Sequence, residues 1–154
     1  MNPLSKSNKA LDDDLLALGG NLKNSYTNTT KDIKITVWPE FIDSQNTQLG
    51  SLFIWAYHVR IDNEGAENIK LINRHWRIID EHGVTQEVDG EGVVGEQPKI
   101  ESGKAFQYSS GVHLRCPSGI MSGHYQVQKD NGDLFEVSIP AFSLDVPTIK
   151  SVIN

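Results

Sequence analysis

Phe53-Ile54-Trp55-Ala56-Tyr57-His58-Val59-Arg60-Ile61 is the stretch that decides the fold. Side chains of an extended chain alternate between two faces. Phe53, Trp55, Tyr57, Val59 and Ile61 therefore share one side, and Ile54, Ala56, His58 and Arg60 the other. A strand with one heavily apolar face needs a second layer to cover it, which points to a packed sheet.

The same period of two extends in both directions. Ile33, Ile35 and Val37 alternate with polar residues, and Pro39 is expected to stop that strand because it donates no ladder hydrogen bond. Asn63-Glu64-Gly65 reads as a turn into a strand over residues 71–80, with Trp76 and Ile78 facing one way and His75, Arg77 and Ile79 the other. Glu81-His82-Gly83 turns again, residues 84–88 run back, and residues 98–103 read as loop. Phe106, Tyr108, Ser110, Val112 and Leu114 share a face, as do Met121, Gly123, Tyr125 and Val127 beyond the turn chemistry of Cys116-Pro117-Ser118-Gly119. After Asp130-Asn131-Gly132, the last strands cover residues 134–139 and 142–146, separated or bent at Pro140. About seven or eight short strands with frequent turn signals and no long helical pattern predict an all-β antiparallel β-sandwich. A closed barrel is the alternative. Trp55 and Trp76 are candidate core residues, because large rings fill the gap between two sheets.

The chain has 154 residues, 38% of them apolar and 22% charged, with a net charge of -6. That suits one globular domain, and the acidic balance argues against general binding of nucleic acid or anionic membrane. Cys116 is the single cysteine, so no intrachain disulfide forms, which fits a reducing, cytoplasmic setting. No apolar run is long enough to span a bilayer, and Asp12, Asp13 and Asp14 interrupt the place of a secretory signal. Residues 1–30 are polar and read as an extension to a domain over residues 31–154. The extension is expected to be a mobile tail, or a short helix through Leu11, Leu15, Leu16 and Leu18 that Gly19-Gly20 ends.

Gly90-Glu91-Gly92-Val93-Val94-Gly95 has the glycine spacing of a dinucleotide-binding loop. A Rossmann site needs a helix opening at that loop, and Pro98 and Gly103 leave no room for one. Glu87, Asp89, Glu91 and Glu96 crowd the loop within a Debye length of about 8 Å and would repel a pyrophosphate. The glycines read better as turn or bulge devices, with Gly90, Gly92 and Gly95 kept as the candidate ligand site. Arg74, His75 and Arg77 suggest a mildly basic face for an anionic ligand or an acidic partner segment. If Cys116 to Gly119 closes a hairpin, Arg115 faces Ile120, His113 faces Ser122 and Gly111 faces His124. His113 and His124 would then lie diagonally on one face as a weak candidate metal pair. Ser109-Ser110-Gly111 lies in a strand rather than on a nucleophile elbow. Arg115 beside Cys116 is expected to lower the thiol pKa slightly, which one cation cannot turn into a catalytic cysteine. No catalytic residue and no cofactor are expected.

Four ordered segments resemble the ApaG domain family. They are Gly90-Glu91-Gly92-Val93-Val94-Gly95-Glu96-Gln97-Pro98, Phe106-Gln107-Tyr108-Ser109-Ser110-Gly111, Cys116-Pro117-Ser118-Gly119-Ile120-Met121-Ser122-Gly123-His124-Tyr125 and Ile139-Pro140-Ala141-Phe142. The strand over residues 57–63 and Arg74-His75-Trp76 also fit, and the resemblance covers about residues 31–147. It implies an immunoglobulin/fibronectin type III-like sandwich in a bacterial cytoplasmic protein. It implies a protein-interaction module, since similar eukaryotic domains are attached to F-box proteins and to a DNA-polymerase-interacting protein. It also implies association with cobalt resistance and magnesium efflux, and encoding beside a diadenosine tetraphosphatase and a ribosomal RNA dimethyltransferase. A nucleotide or dinucleoside polyphosphate is the ligand it suggests for the glycine loop. No catalytic residues are carried over, because none are established for the family.

Overall fold

The computed structural model describes residues 24–147, which form nine strands in two antiparallel sheets. The first sheet holds β1 (Tyr26–Thr30), β2 (Ile33–Thr47), β3 (Gly50–Asn63) and β7 (Ala105–Leu114), side by side in that order. The second holds β5 (Thr85–Glu91), β4 (Ile69–Asp80), β8 (Ser118–Lys129) and β9 (Leu134–Asp145) in that order, and β6 (Lys99–Ile100) pairs with the start of β4. This is the immunoglobulin/fibronectin type III-like sandwich. The helix considered for Leu11 to Leu18 lies outside the described residues.

The alternation that opened the sequence governs the core. Trp55, Tyr57, Val59 and Ile61 of β3 are buried against Leu71, Trp76 and Ile78 of β4 and their neighbours on β8 and β9. Tyr57 and Phe142 both pack on Trp76, at ring-centroid distances of 5.1 and 6.1 Å with edge-on geometry. Such aromatic pairs add to the burial energy of the rings themselves. Trp38 is buried too, stacked on His58 at 5.4 Å on β2 and β3.

Several local expectations are corrected. Pro39 does not end its strand, because β2 runs through it to Thr47. The β1 pairing ends at Tyr26 opposite Val37, so beyond that point β2 pairs only with β3 among the described residues. A missing N–H is tolerated along such an edge. Pro140 bends β9 without breaking it: Pro140 and Ala141 stand opposite the single residue Ser122, a β-bulge. Lys99–Ile100, expected as loop, forms β6. Tyr26–Thr30, placed in the polar extension, forms β1, with Tyr26 packed against the core.

The largest correction concerns Cys116 to Gly119. These residues close no hairpin, since β7 pairs with β3 while β8 pairs with β4 and β9. The segment crosses from one sheet to the other. His113 stands opposite Ile54 in the first sheet, and His124 opposite His75 in the second. The diagonal pair of His113 and His124 is not formed. Turn chemistry permits a reversal, but whether the chain returns beside itself or crosses to the facing sheet depends on which apolar faces need covering.

Candidate functional site at the open edge of the sandwich

The two long edges of the sandwich differ. Along one, β1 and β2 pack on β9, and Asn28 Nδ2 donates to the Ser138 carbonyl at 3.4 Å while Ser138 N–H donates to Thr30 Oγ1 at 3.3 Å. Along the other, β7 and β5 end their sheets with their outer edges unpaired among the described residues. Between them lies a cleft of about 330 Å³. Trp76, Ile78, Met121 and Val112 supply its apolar lining, and Arg74, Ser110 and His113 its polar groups.

A β-bulge at Ile72 puts Leu71 on the same side as Arg74. Leu71 pairs with Val127 and Asn73 with Gln126, so Ile72 is the extra residue. Leu71, Arg74, Trp76 and Ile78 consequently all lie on the inner side. The Ile72 carbonyl accepts from Gly92 N–H at 2.8 Å and from Gln97 Nε2 at 3.0 Å, which ties the glycine loop to β4. Arg74 Nη1 donates to the carbonyls of Glu91 and Gly92, both at 2.9 Å. Its guanidinium lies across Gly90: a Cβ there would stand 2.7 Å from it. Gly90 is thus the residue that lets the arginine reach the loop.

The loop itself is a miniature hairpin. Val93 and Glu96 exchange backbone hydrogen bonds of 2.8 and 2.9 Å around Val94 and Gly95. The φ values of +45° at Val94 and +81° at Gly95 give the two positive angles that a type I′ turn requires. A Cβ on Gly92 would fall 1.8 Å from the Glu96 carbonyl oxygen, so no side chain fits. The Gly92 amide is taken up by the Ile72 carbonyl of β4, and those of Val93 and Glu96 by each other's carbonyls. A phosphate-cradling loop points such amides at its ligand. Val94 is an exposed β-branched residue held at positive φ, a strained choice for any position where glycine would do.

Beneath the arginine sit three phenols. Tyr108 and Tyr125 share a short hydrogen bond, and burial raises both pKa values well above the ordinary 10.0. Burial also raises Tyr57, against the opposing pull of a hydrogen bond to Ser110 and the charge of Arg74. These groups stay neutral and supply hydrogen bonds rather than acid–base chemistry near pH 7.

The expected basic face is not assembled. Arg74 points inward, while Arg77 stands opposite Glu87 and His75 opposite Asp89. His75 Nδ1 lies 2.5 Å from Asp89 Oδ1, so β5 carboxylates face the basic side chains of β4. His124 stacks on His75 at 5.0 Å and lies 3.6 Å from Glu136 Oε1. Arg115 donates to Thr47 Oγ1 instead of acting on Cys116. The Cys116 thiol is pushed up rather than down, by burial first and then by Asp80 and Glu81. Sequence reasoning missed the cleft. Its lining comes from strands distant in the chain, and no local signal marks two edges left facing one another.

Two antiparallel sheets, sealed along one edge and open along the other, define the class as a small all-β sandwich domain. The ApaG domain profile matches residues 43–129. Protein ApaG of Rhodospirillum centenum is 51% identical over 126 residues, covering 82% of this chain and 97% of that one. Protein ApaG of Paramagnetospirillum magneticum is 48% identical over 129 residues, covering 84% and 99%. Among solved structures, a structural-genomics X-ray structure superposes with a TM-score of 0.74 at 37% identity, covering 80% of this chain and 93% of its own. A Bordetella pertussis protein described as ApaA gives 0.70 at 41% identity, covering 75% and 94%. The chain belongs to the ApaG domain family. The relatives' name, Protein ApaG, states no reaction.

Proposed function

We propose that this domain is a non-enzymatic protein-interaction module, and that it receives an extended segment of a partner protein at the open edge. The observation that supports this reading is the outer edges of β5 and β7, both unpaired among the described residues, flanking a cleft lined by Trp76, Ile78 and Met121. Extended peptides add to exposed strand edges through main-chain hydrogen bonds, and pockets for alternate side chains select among them. Val84 and Val88 lie exposed on or beside β5 and would join the apolar contact. Cytoplasmic placement belongs to the same proposal and rests on the lone, unpaired Cys116. A link to cobalt resistance or magnesium efflux would run through that partner, because among the described residues no helix is long and apolar enough to cross a membrane.

Site-specific photo-crosslinking tests the reading. A photoreactive residue at Val88 should trap one stoichiometric partner from cell extract, and the same residue at exposed Leu134 on β9 should not. Equal adducts from both positions, or none, would sink it. The nucleotide reading at Gly90, Gly92 and Gly95, with Arg74 and Arg77 beside it, has its own test. Diadenosine tetraphosphate is titrated while the amide resonances are followed. The inward hydrogen bonds of Gly92, Val93 and Glu96 lead us to expect unmoved loop amides.

A further inference from the structure

At one end of the open edge, the β4–β5 turn meets the crossover from β7 to β8. Glu81 N–H donates to the Ser118 carbonyl at 3.1 Å, which holds the two segments together. Asp80 Oδ1 accepts from His82 N–H at 2.9 Å and Val84 N–H at 3.0 Å, which shapes the turn. Ligand atoms of Glu81, His82 and Cys116 all lie within 4.8 Å of one another. Glu81 and His82 are exposed, while Cys116 is buried beneath them.

We propose that Glu81, His82 and Cys116 form a binding site for a borderline divalent transition cation, of which zinc is the type. The donor set supports this. Thiolate and imidazole select borderline and soft ions over magnesium or calcium, and a carboxylate is a third ligand type that zinc accepts. Tetrahedral zinc, with bonds of about 2.1–2.3 Å, separates its ligands by roughly 3.4–3.6 Å. The cluster needs to contract by at most about 1.3 Å, which rotation of the exposed Glu81 and His82 side chains supplies. Asp80, next to Glu81 in the same turn, adds a second carboxylate. A dication offsets that crowding. Three protein ligands leave the fourth position to water.

The ion would act as a staple. His82 and Glu81 lead into β5, and Cys116 follows β7, so one cation ties together the two strands that flank the cleft. The closed edge holds its sheets with strand contacts; the open edge would be held at one end by metal.

The test uses the full chain, reduced with a phosphine, and titrated with zinc sulfate against a chromophoric zinc indicator. One zinc per chain is expected. Cadmium should produce a sulfur-to-cadmium charge-transfer band in the ultraviolet. Cys116→Ser should abolish that band, and His82→Ala should weaken zinc binding at least tenfold. His82 lies on an exposed turn, so that variant should keep the wild-type near-ultraviolet circular dichroism, which is the check on folding. His124→Ala, at the His75–His124 stack, should bind as wild type does. Zinc stoichiometry unchanged in Cys116→Ser, a missing cadmium band, or loss of binding in His124→Ala instead would each overturn the proposal.

Discussion

The sealed and open edges of this sandwich are made from similar strands and do opposite things. At the sealed edge, β1 and β2 lie against β9, and Tyr26 packs on Phe142 with ring centroids 6.1 Å apart. At the open edge, β5 and β7 face each other across a cleft floored by Trp76. Apolar side chains are buried at the first, while Val84 and Val88 stand exposed at the second. A domain of this size folds with its core covered on most sides, and the uncovered side is where binding is cheapest to accommodate.

The largest expected effect tests the phenols beneath the cleft. Tyr57, Tyr108 and Tyr125 have pKa values raised above 10.0 in the fold. A raised folded value means the native state binds the proton more tightly. Their contribution to stability is therefore complete below the unfolded value of about 10 and lost as pH rises through the folded values. Spectrophotometric titration should show these tyrosines ionising together with alkaline unfolding. Gradual ionisation in a folded protein would mean that the cleft floor is wetter than its burial indicates.

Next comes a paired substitution. Phe142→Ala removes a ring packed on Tyr26, Tyr57 and Trp76 and should cost about 3–5 kcal/mol in denaturant unfolding. Val88→Ala at the open edge, where the side chain is 40% exposed, should cost no more than about 0.5 kcal/mol. Comparable losses would erase the distinction between the edges. Removal of residues 1–30 deletes β1 and should cost roughly 1.5–3 kcal/mol, the scale of burying one large apolar side chain. A truncated chain as stable as the whole would show that β2 and β9 seal that edge alone.

The smallest effect has the opposite sign. Val94 at φ +45° suits a residue that tolerates the left-handed region. Val94→Asn should gain about 1 kcal/mol, measured by the shift in the unfolding midpoint. If that variant also loses the partner trapped from Val88, the strain at Val94 serves binding. If stability is unchanged, the turn is relaxed in solution and the comparison loses its strained element.

Much of the fold was legible residue by residue. Phe53 to Ile61 announced a strand with one apolar face, and Trp55 and Trp76 were placed in the core by period alone. The strand passing through Pro39 was not legible, because tolerance of proline depends on whether a neighbour needs its N–H. Arg74 shares the parity of Trp76 and Ile78, so its inward direction follows the alternation; the bulge at Ile72, which sets Leu71 on that same side, was not legible. Gly90 illustrates both sides. Its spacing with Gly92 and Gly95 stood out at once, yet its reason is a guanidinium from the neighbouring strand lying where a side chain would be.

The sequence by itself determined that this chain makes strands, which side of most is apolar, and where many of the turns fall, because alternation and turn chemistry are local. Only the tertiary structure decided which strands become neighbours. It sent Cys116 across to the other sheet, separated His113 from His124, set His124 on His75, and brought Cys116 to Glu81 and His82. Those meetings are long-range. They are settled by which apolar faces cover one another, and no window of neighbouring residues carries that information.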